Sequence, residues 1–414
     1  MSTRRHALET RLIHSTYSKY SARGQAPGSD RAPFEGAITT PIFQTSTYLD
    51  GDTGGDTVAA TAGDTNDGRG YEAVRYTLLS NGPQHLVLHA RLADITDHEA
   101  AITSSSGMAA ISAALIAHAA GGRIFFSRHL YGGTAHLAKL DLPSLGIACD
   151  LATSDDPRDW PTEVKPHTKV VYVEAISNPT NVITDLTAVV ELAHSIGALA
   201  VIDATFASPV NLKPAALGFD LELHSATKYL NGHSDVIAGA VCGKRDLVQK
   251  VLSLQNHLGG SLDPHAAFLL ERGLKTLTLR VRHQNASAEH LARVLDLHPA
   301  VLSCTHPALA PETRIPSAMR PCFKGFGGVF SFDVGSADRA AIVLRSLTIA
   351  RHAPSLGGPE TLVTRPAATS HASLSPHERV SLGITDGLIR VSVGFEATED
   401  LVADFTAALA SLPT

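Results

Sequence analysis

The sequence lacks the patterns that mark several common classes of protein. Its 414 residues contain only four cysteines, Cys149, Cys242, Cys304 and Cys322, and no two of them form a C-x-x-C pair. Neither a zinc knuckle nor a disulfide framework is therefore expected. No H-E-x-x-H motif and no G-x-x-x-x-G-K-[ST] loop occurs, despite 21 histidines. These absences argue against a structural metal and against a Walker-type nucleotide site.

The sequence also has no excess of positive charge and no long apolar run. Its formal net charge is −6, which gives no basic footprint for nucleic acid. The opening residues, MSTRRHALETRLIH, contain no apolar signal core, and no run of about eighteen apolar residues follows. We expect a cytoplasmic protein without a membrane segment. The content of 44% hydrophobic and 18% charged residues is ordinary for a soluble enzyme.

What the sequence does contain is an alternation of short apolar strands and helices. A strand, a helix and a second strand are predicted at residues 168–174, 186–197 and 198–202. Asn178 follows the first strand, Asp203 follows the second, and Lys228 follows a third apolar segment. Because parallel strands place their carboxyl ends at one edge of a sheet, we expect these three residues to lie close together.

Lys228 lies in the segment LELHSATKYLNGHSDVIAGAV, residues 221–241. A lysine among apolar neighbours loses its charge more easily than one in water, so it suits a Schiff-base nucleophile. Ser225 and Thr227 offer hydroxyls that can hold a phosphate beside it. Taken alone, the segment also fits an exposed lysine after a buried strand. The assignment therefore depends on the motifs around it.

Asp203 has a specific task if a lysine Schiff base lies nearby. A carboxylate keeps a pyridine nitrogen protonated, so that the ring can accept electrons from a substrate carbanion. Asn178 can then hydrogen-bond the phenolic oxygen of the same ring. Taken alone, Asp203 also fits a helix cap or a turn residue.

A small-residue turn upstream resembles a phosphate cradle. The segment AITSSSGMAA, residues 101–110, leads into an apolar helix predicted at 108–120. Free N–H groups at a helix start, with no side chain at Gly107, suit a phosphate. Tyr131, beside two glycines, can stack on a planar cofactor, although it also fits a core or rim tyrosine.

Taken together, these motifs resemble the Cys/Met metabolism family of pyridoxal-phosphate-dependent enzymes. That group contains cystathionine γ-synthase, cystathionine γ- and β-lyases and methionine γ-lyase. The resemblance covers nearly the whole chain. Its segments are 40–48 (TPIFQTSTY), 106–110 (SGMAA), 131–134 (YGGT), 177–179 (SNP), 203–206 (DATF), 225–228 (SATK), 355–361 (SLGGPET) and 386–394 (DGLIRVSVG).

The resemblance implies the fold-type I, aspartate aminotransferase-like α/β fold, with a mostly parallel central sheet and a smaller C-terminal α+β domain. The expected units are an N-terminal arm at 1–75, which contributes to the neighbouring subunit's site, a large cofactor-binding domain at 76–265 and a C-terminal domain at 266–414. A long helix at 275–295 would join the last two. The expected assembly is a homotetramer, a dimer of dimers.

The resemblance also implies the cofactor, pyridoxal 5'-phosphate, and a role for each site residue. Lys228 would form the Schiff base and shuttle protons, Asp203 would pair with the pyridinium nitrogen, and Tyr131 would stack on the ring and help protonate the leaving group. Arg390 would bind the substrate α-carboxylate with help from Ser355 and Asn178. The other cofactor-binding positions would be Ser106, Gly107, Met108, Asn178, Ser225, Thr227 and Tyr76, the last in the neighbour's site.

Some positions depart from the family pattern. Leu78 stands where relatives carry an arginine that reaches the neighbour's phosphate, which weakens that contact. Pro354 stands where cystathionine-handling members commonly place a glutamate, which argues against cystathionine. His136 replaces an arginine of cystathionine γ-lyases, and Gly133 replaces a cysteine of methionine γ-lyases. The segment Gly51–Gly70 is expected to be a mobile loop, either a solvated spacer or a substrate lid.

Three functions follow from the resemblance. The first is γ-elimination from a methionine-, cystathionine- or homoserine-like amino acid, which gives a 2-oxo acid and ammonia. The second is γ-replacement on an O-activated homoserine, which uses the same residues. The third is a protein that binds the cofactor without catalysis, and the retention of Lys228, Asp203, Tyr131 and Arg390 argues against it. We therefore expect an enzyme, with the lyase as the leading prediction.

Overall fold

The computed structural model of the chain describes residues 6–14, 37–48, 75–309, 315–372 and 374–413. The statements that follow refer to these residues. The predicted loop at Gly51–Gly70 lies outside them.

A seven-stranded sheet forms the centre of the larger part of the chain. Its strands are β1 (Ala100–Ser104), β2 (Arg123–Phe126), β3 (Ala148–Leu151), β4 (Thr168–Glu174), β5 (Leu199–Asp203), β6 (Leu221–His224) and β7 (Gly239–Gly243). Their spatial order is β1-β7-β6-β5-β4-β2-β3. Only β7 runs against its neighbours, so the other six strands share one direction. The mostly parallel sheet predicted from the sequence is confirmed.

The composition of β4 explains its place inside this sheet. Val171 and Val173 pack into the apolar core on one face, whereas Val170 and Tyr172 pack into the core on the other. A strand that is covered on both faces reads as a continuous β-branched and apolar run rather than an alternation. That is why the sequence identifies β4 with the same bounds as the structure.

Helices cover both faces of the sheet and continue into the C-terminal part. They are α1 (Leu8–His14), α2 (Pro83–Thr96), α3 (Gly107–Ala119), α4 (Gly132–His136), α5 (Leu142–Ser144), α6 (Leu186–Ser195), α7 (Ser208–Asn211), α8 (Pro214–Leu217), α9 (Arg245–Leu258), α10 (Pro264–Leu274), α11 (Leu277–Asp296), α12 (Ala337–Ser346), α13 (Pro376–Ser381) and α14 (Thr398–Ala410). Short 3₁₀ helices lie at Thr77–Leu79, Trp160–Thr162, Arg320–Cys322 and Pro366–Ala368, and a π helix lies at Leu137–Asp141.

Two predicted helices have clear end signals. The Ser106 side chain caps α3 by accepting from the Ala109 N–H at 3.0 Å, and Asp185 caps α6 by accepting from the Ala188 N–H at 3.2 Å. Gly197 follows α6 with a positive φ of 71°, which glycine adopts without a steric cost. These local signals explain why the predicted bounds of both helices are close to the observed ones.

A second, five-stranded sheet lies in the C-terminal part. Its strands are β8 (Ser303–Thr305), β9 (Val329–Asp333), β10 (Arg351–His352), β11 (Leu362–Thr364) and β12 (Leu388–Ser392), in the order β10-β11-β12-β9-β8. It is mainly antiparallel, and its core contains Phe330, Phe332 and Phe405. The predicted long helix at 275–295 corresponds to α11. The predicted domain limits at residues 75 and 265 stay predictions.

Candidate active site

Lys228 lies four residues beyond the end of β6, in a turn that the C-terminal part covers. Its Nζ donates a hydrogen bond to the Ser355 hydroxyl at 2.7 Å. Gly357 packs so closely that a Cβ there would lie 2.9 Å from the Tyr229 nitrogen. The loop that begins at Ser355 therefore closes over the lysine, and the amine is half-buried.

The surroundings of Lys228 favour its neutral form. Burial lowers the pKa of the amine to about 8, and the positive charge of Arg390 acts in the same direction. A lysine with a pKa near neutrality is a competent nucleophile and base. Within the described residues, no neighbouring carboxylate raises the pKa of Lys228 against these two effects.

Arg390 lies in the middle of β12 and is buried. Its Nη1 donates to Asn178 Oδ1 at 3.1 Å, and its Nη2 donates to the carbonyl oxygen of Ser355 at 2.8 Å. Its Nε is buried without a hydrogen-bond partner in the described part of the chain. Burial lowers the pKa of Arg390 to about 10, and the nearby phenol of Tyr131 opposes this effect. A buried guanidinium with an unused N–H suits a bound carboxylate.

Ser355 connects the lysine and the arginine. Its hydroxyl accepts from Lys228 and its carbonyl accepts from Arg390, so one residue fixes the relative position of both charged groups. Its φ of 96° is positive, a conformation that side chains other than glycine rarely adopt. Strained backbone of this kind is concentrated at functional sites.

Asp203 ends β5 and is only 8% exposed. Its Oδ1 accepts from the Thr205 N–H at 2.9 Å. Burial raises the pKa of Asp203, and the donors on Thr205 oppose this rise. The carboxylate lies at the same sheet edge as Asn178, as the sequence predicts, because β4 and β5 are parallel neighbours.

The start of α3 forms a cradle next to the Lys228 turn. A Cβ at Gly107 would lie 2.7 Å from the Cβ of Ser225, so only glycine permits this approach. Ser106 uses its side chain as the cap of α3, and Met108 is half-buried in the first turn. The Thr227 hydroxyl bonds the backbone of Ala238, accepting from its N–H at 2.9 Å. Backbone N–H groups at such a helix start favour an anion.

Tyr131 precedes α4 with 41% of its surface exposed. A Cβ at Gly133 would lie 2.6 Å from Tyr131 Cε1, so a larger residue at position 133 would require the Tyr131 ring to shift. Tyr76 makes an isolated β-bridge with Thr47, and its N–H donates to Asn81 at 2.8 Å. No hydrogen bond recorded for the described residues joins Tyr76 to the Lys228 group. Hydrogen bonds join Lys228, Ser355, Arg390 and Asn178, and Tyr131 lies near Arg390.

Glu174 is the residue of this site to which the sequence analysis assigned no role. It ends β4, is 6% exposed and accepts a hydrogen bond from the backbone N–H of Tyr131. Burial and the neighbouring Asp203 raise the pKa of Glu174 well above its usual range. The sequence signal for Glu174 was an acidic residue at the end of an apolar strand, because a buried carboxylate needs a compensating partner.

The described ranges contain no group of three or more His, Cys, Asp or Glu side chains that could hold a metal ion. They also contain no helix with the length and apolar character that crossing a membrane requires.

The fold and the site together define a pyridoxal-phosphate-dependent enzyme of fold-type I. The lysine with a lowered pKa, the glycine cradle and the unpartnered Nε of Arg390 each fit a group of the cofactor or of its amino-acid substrate. The chain belongs to the family described as Cys/Met metabolism PLP-dependent enzymes, which residues 25–410 match. The predicted family, fold class and cofactor are confirmed.

Individual relatives differ in the reaction that their names give. Cystathionine gamma-lyase of Bacillus subtilis (strain 168) is 38% identical over 378 residues, which cover 91% of this chain and 95% of that protein. L-methionine gamma-lyase of Treponema denticola is 36% identical over 385 residues, 91% and 93% of the two chains. The crystal structure of cystathionine gamma synthase from Xanthomonas oryzae pv. oryzae superimposes with a TM-score of 0.85 at 33% identity, covering 98% of both chains. Elimination and replacement both occur among these relatives, and the roles of single residues stay predictions.

Proposed function

We propose that the chain catalyses γ-elimination from a methionine-, cystathionine- or homoserine-like amino acid, which yields a 2-oxo acid and ammonia. The observation that carries this proposal is the double contact of Ser355 with Lys228 and Arg390. It places a base at a fixed position from a carboxylate-binding group. An α-amino acid held by its carboxylate would therefore present its α-carbon to the amine of Lys228.

Each residue has a distinct task in this reaction. Arg390 and Ser355 orient the substrate through its carboxylate, and the Asn178 amide supports Arg390 through its oxygen. Pyridoxal phosphate supplies the electron sink that stabilises the α-carbanion. Lys228 would remove the α-proton of the substrate and carry a proton onward, and Asp203 would hold a proton on the ring nitrogen of the bound cofactor. Tyr131 gives a proton to the leaving group, and its phenol lies near enough to Arg390 to affect that residue's pKa.

The alternative is γ-replacement, in which a nucleophile adds where the leaving group departed. The similarity to the Xanthomonas oryzae synthase supports it, and elimination and replacement require the same residues.

Pro354, in place of the glutamate that the family pattern suggests, favours a substrate without a distal amino group. The elimination proposal therefore extends to methionine-like and homoserine-like substrates as well as cystathionine.

A substrate panel tests the proposal. The holoenzyme is incubated separately with cystathionine, methionine, homocysteine, cysteine, canavanine and O-acetyl- and O-succinylhomoserine, and both 2-oxo acid and ammonia are measured. We expect equal amounts of ammonia and 2-oxobutyrate, the four-carbon product of γ-elimination, from at least one substrate other than cysteine and without an added nucleophile. Cystathionine that forms from an O-activated homoserine after cysteine is added, without release of 2-oxo acid, would establish replacement instead. No turnover of any compound, although the cofactor binds, would overturn both functions.

The lowered pKa of Lys228 gives a testable pH dependence. Because the amine is neutral above a pKa of about 8, covalent attachment of the cofactor to the apoprotein should accelerate with pH and level off above pH 8. Below that value the rate should fall about tenfold per pH unit, in proportion to the neutral fraction. Stopped-flow absorbance measures this rate between pH 6 and 10, a range that extends about two units to either side of the pKa.

Arg390 provides the control for that experiment. Its charge is the second cause of the lowered pKa of Lys228, so Arg390→Leu should move the midpoint of the rate to higher pH. An unshifted midpoint would show that burial alone sets the reactivity of Lys228.

Replacing Leu78 tests the departure at the phosphate-binding position. Leu78 is half-buried in the 3₁₀ helix Thr77–Leu79. Leu78→Arg should tighten pyridoxal phosphate binding roughly tenfold, because a hydrogen bond to a charged group contributes about 1.5 kcal/mol or more. Equilibrium titration of the apoprotein measures the change. Leu78→Gln is the uncharged control, and equal or weaker binding by the arginine variant would refute the prediction.

We further propose that the chain works as a homotetramer, a dimer of dimers, in which Tyr76 enters the site of a neighbouring subunit. The membership of the chain in the Cys/Met metabolism family supports this. Light scattering of the holoenzyme tests it, and a monomer with full activity would exclude it. The predicted cytoplasmic location stays a prediction.

A further inference from the structure

Glu174 and Asp203 lie side by side at the carboxyl ends of two neighbouring strands of the sheet. They are paired residues of the parallel strands β4 and β5. Neighbouring strands are about 4.8 Å apart, and paired residues point to the same face. Both side chains are buried, at 6% and 8% exposure. The site therefore contains two carboxyl groups, only one of which has an assigned task.

Glu174 also connects two loops of the site. Its Oε1 accepts a hydrogen bond from the backbone N–H of Tyr131, which lies between β2 and α4. The backbone N–H of Asn178, in the loop after β4, interacts favourably with the same carboxyl group. These loops carry the aromatic ring that stacks on the cofactor and the amide that supports Arg390. One side chain thus fixes the backbone of both.

The proximity of the two buried carboxyl groups limits their charge. Burial raises the pKa of both Glu174 and Asp203, and the charge of Asp203 adds to the rise at Glu174. The hydroxyl and N–H of Thr205 oppose the rise at Asp203, and the N–H donates to Asp203 Oδ1 at 2.9 Å. Two adjacent buried carboxyl groups rarely ionise together. We therefore expect the pair to carry one negative charge rather than two, and Asp203 is the member that the proposed function requires as an anion.

We propose that Glu174 is a positioning residue of the active site, which holds Tyr131 and Asn178 in place as a neutral hydrogen-bond acceptor beside Asp203. The inference rests on the proposed function for its description of the site. Positioning of Tyr131 and Asn178 requires the carbonyl oxygen of Glu174 and does not require a negative charge on its side chain. An amide should therefore replace the acid.

Two variants separate these properties in the holoenzyme. Glu174→Gln keeps an oxygen acceptor without a charge, and it should retain cofactor binding and kcat within about threefold, since the acceptor geometry is kept. Glu174→Leu removes the acceptor and should lower kcat by about 10- to 100-fold, the scale expected when catalytic groups are displaced by a fraction of an ångström to one ångström. The KM of the substrate should change less, because the contacts of Arg390 with Ser355 remain.

Two spectroscopic readouts detect positioning directly. The visible circular dichroism of the bound cofactor reports its environment, and it should weaken in Glu174→Leu but not in Glu174→Gln. Hydrogen–deuterium exchange of the peptide that contains Tyr131 should become faster in Glu174→Leu alone, both with and without cofactor. Glu271→Gln is the matched control, since Glu271 is also buried and bonds Arg91 and Thr40. It should leave both readouts unchanged, and thermal melts report any general loss of stability.

The outcomes are distinct. An equal loss of kcat and cofactor binding in Glu174→Gln and Glu174→Leu would show that the charge of Glu174 is required and would overturn the proposal. Unchanged exchange and circular dichroism in Glu174→Leu would overturn it as well. Exchange at Tyr131 does not depend on turnover, so it decides the role of Glu174 even if the wild-type protein proves not to be a γ-lyase.

Discussion

Lys228→Ala is expected to lower kcat by at least about 10³-fold while the protein remains folded. The variant loses the amine that we propose binds the cofactor covalently and removes the α-proton. General acid–base catalysis alone contributes about 10²- to 10⁴-fold, and the covalent step adds to this. The measurement is 2-oxo acid release under saturating substrate, with the best substrate of the panel.

The stability of the same variant distinguishes a chemical role from a structural one. Burial disfavours the charged form of Lys228, and its amine makes a single recorded side-chain hydrogen bond, to Ser355. The thermal midpoint should therefore change little. Lys213→Ala is the control, because Lys213 is also half-buried with a lowered pKa but bonds the carbonyl of Ile95 and pairs with Asp97. It should cost stability and leave kcat nearly unchanged, and a Lys228→Ala enzyme that still turns over would contradict the assignment.

Arg390→Leu is expected to produce the second large effect, chiefly on KM. The variant removes the guanidinium that we propose binds the substrate carboxylate. Removing one partner of a buried, charged hydrogen-bonded pair costs about 2 to 5 kcal/mol, which corresponds to a loss of roughly 30- to 4000-fold in kcat/KM. Initial rates over a wide substrate range separate KM from kcat.

Two controls accompany this experiment. Arg390→Lys keeps a positive charge but loses the planar fork, so it should fall between the wild type and the leucine variant. Arg293→Leu removes an exposed arginine of α11 that pairs with Glu289 at 2.6 Å, and it should leave the kinetics unchanged. An unaltered KM in Arg390→Leu would mean that another group binds the carboxylate.

Local sequence patterns were sufficient for the strand β4 and for the helix α6. The bounds of β4 follow from its β-branched run, and those of α6 follow from the Asp185 cap and Gly197. Gly107 was predicted to leave room for a phosphate, and the structure shows that it also packs closely against Ser225. Such features depend on residues that are near one another in the chain.

The resemblance placed Arg390, Ser355, Asn178 and Lys228 in one site, but the individual contacts between these distant parts of the chain were not predicted. The contact of Arg390 with Asn178 joins residues 212 positions apart, and the contact of Lys228 with Ser355 spans 127 positions. The pairing of Glu174 with Asp203 depends on the register of two strands, which the sequence does not specify by itself. The alternation of strands and helices also did not indicate that β7 runs against β6.

The most direct test of the account is to identify which lysine binds the cofactor. The holoenzyme is treated with borohydride, which converts the bond between lysine and cofactor to a stable amine, then digested and analysed by mass spectrometry. We expect the mass of the cofactor on the peptide that contains Lys228, and its loss when substrate is added first. Cofactor on another lysine, or on none, would contradict the account.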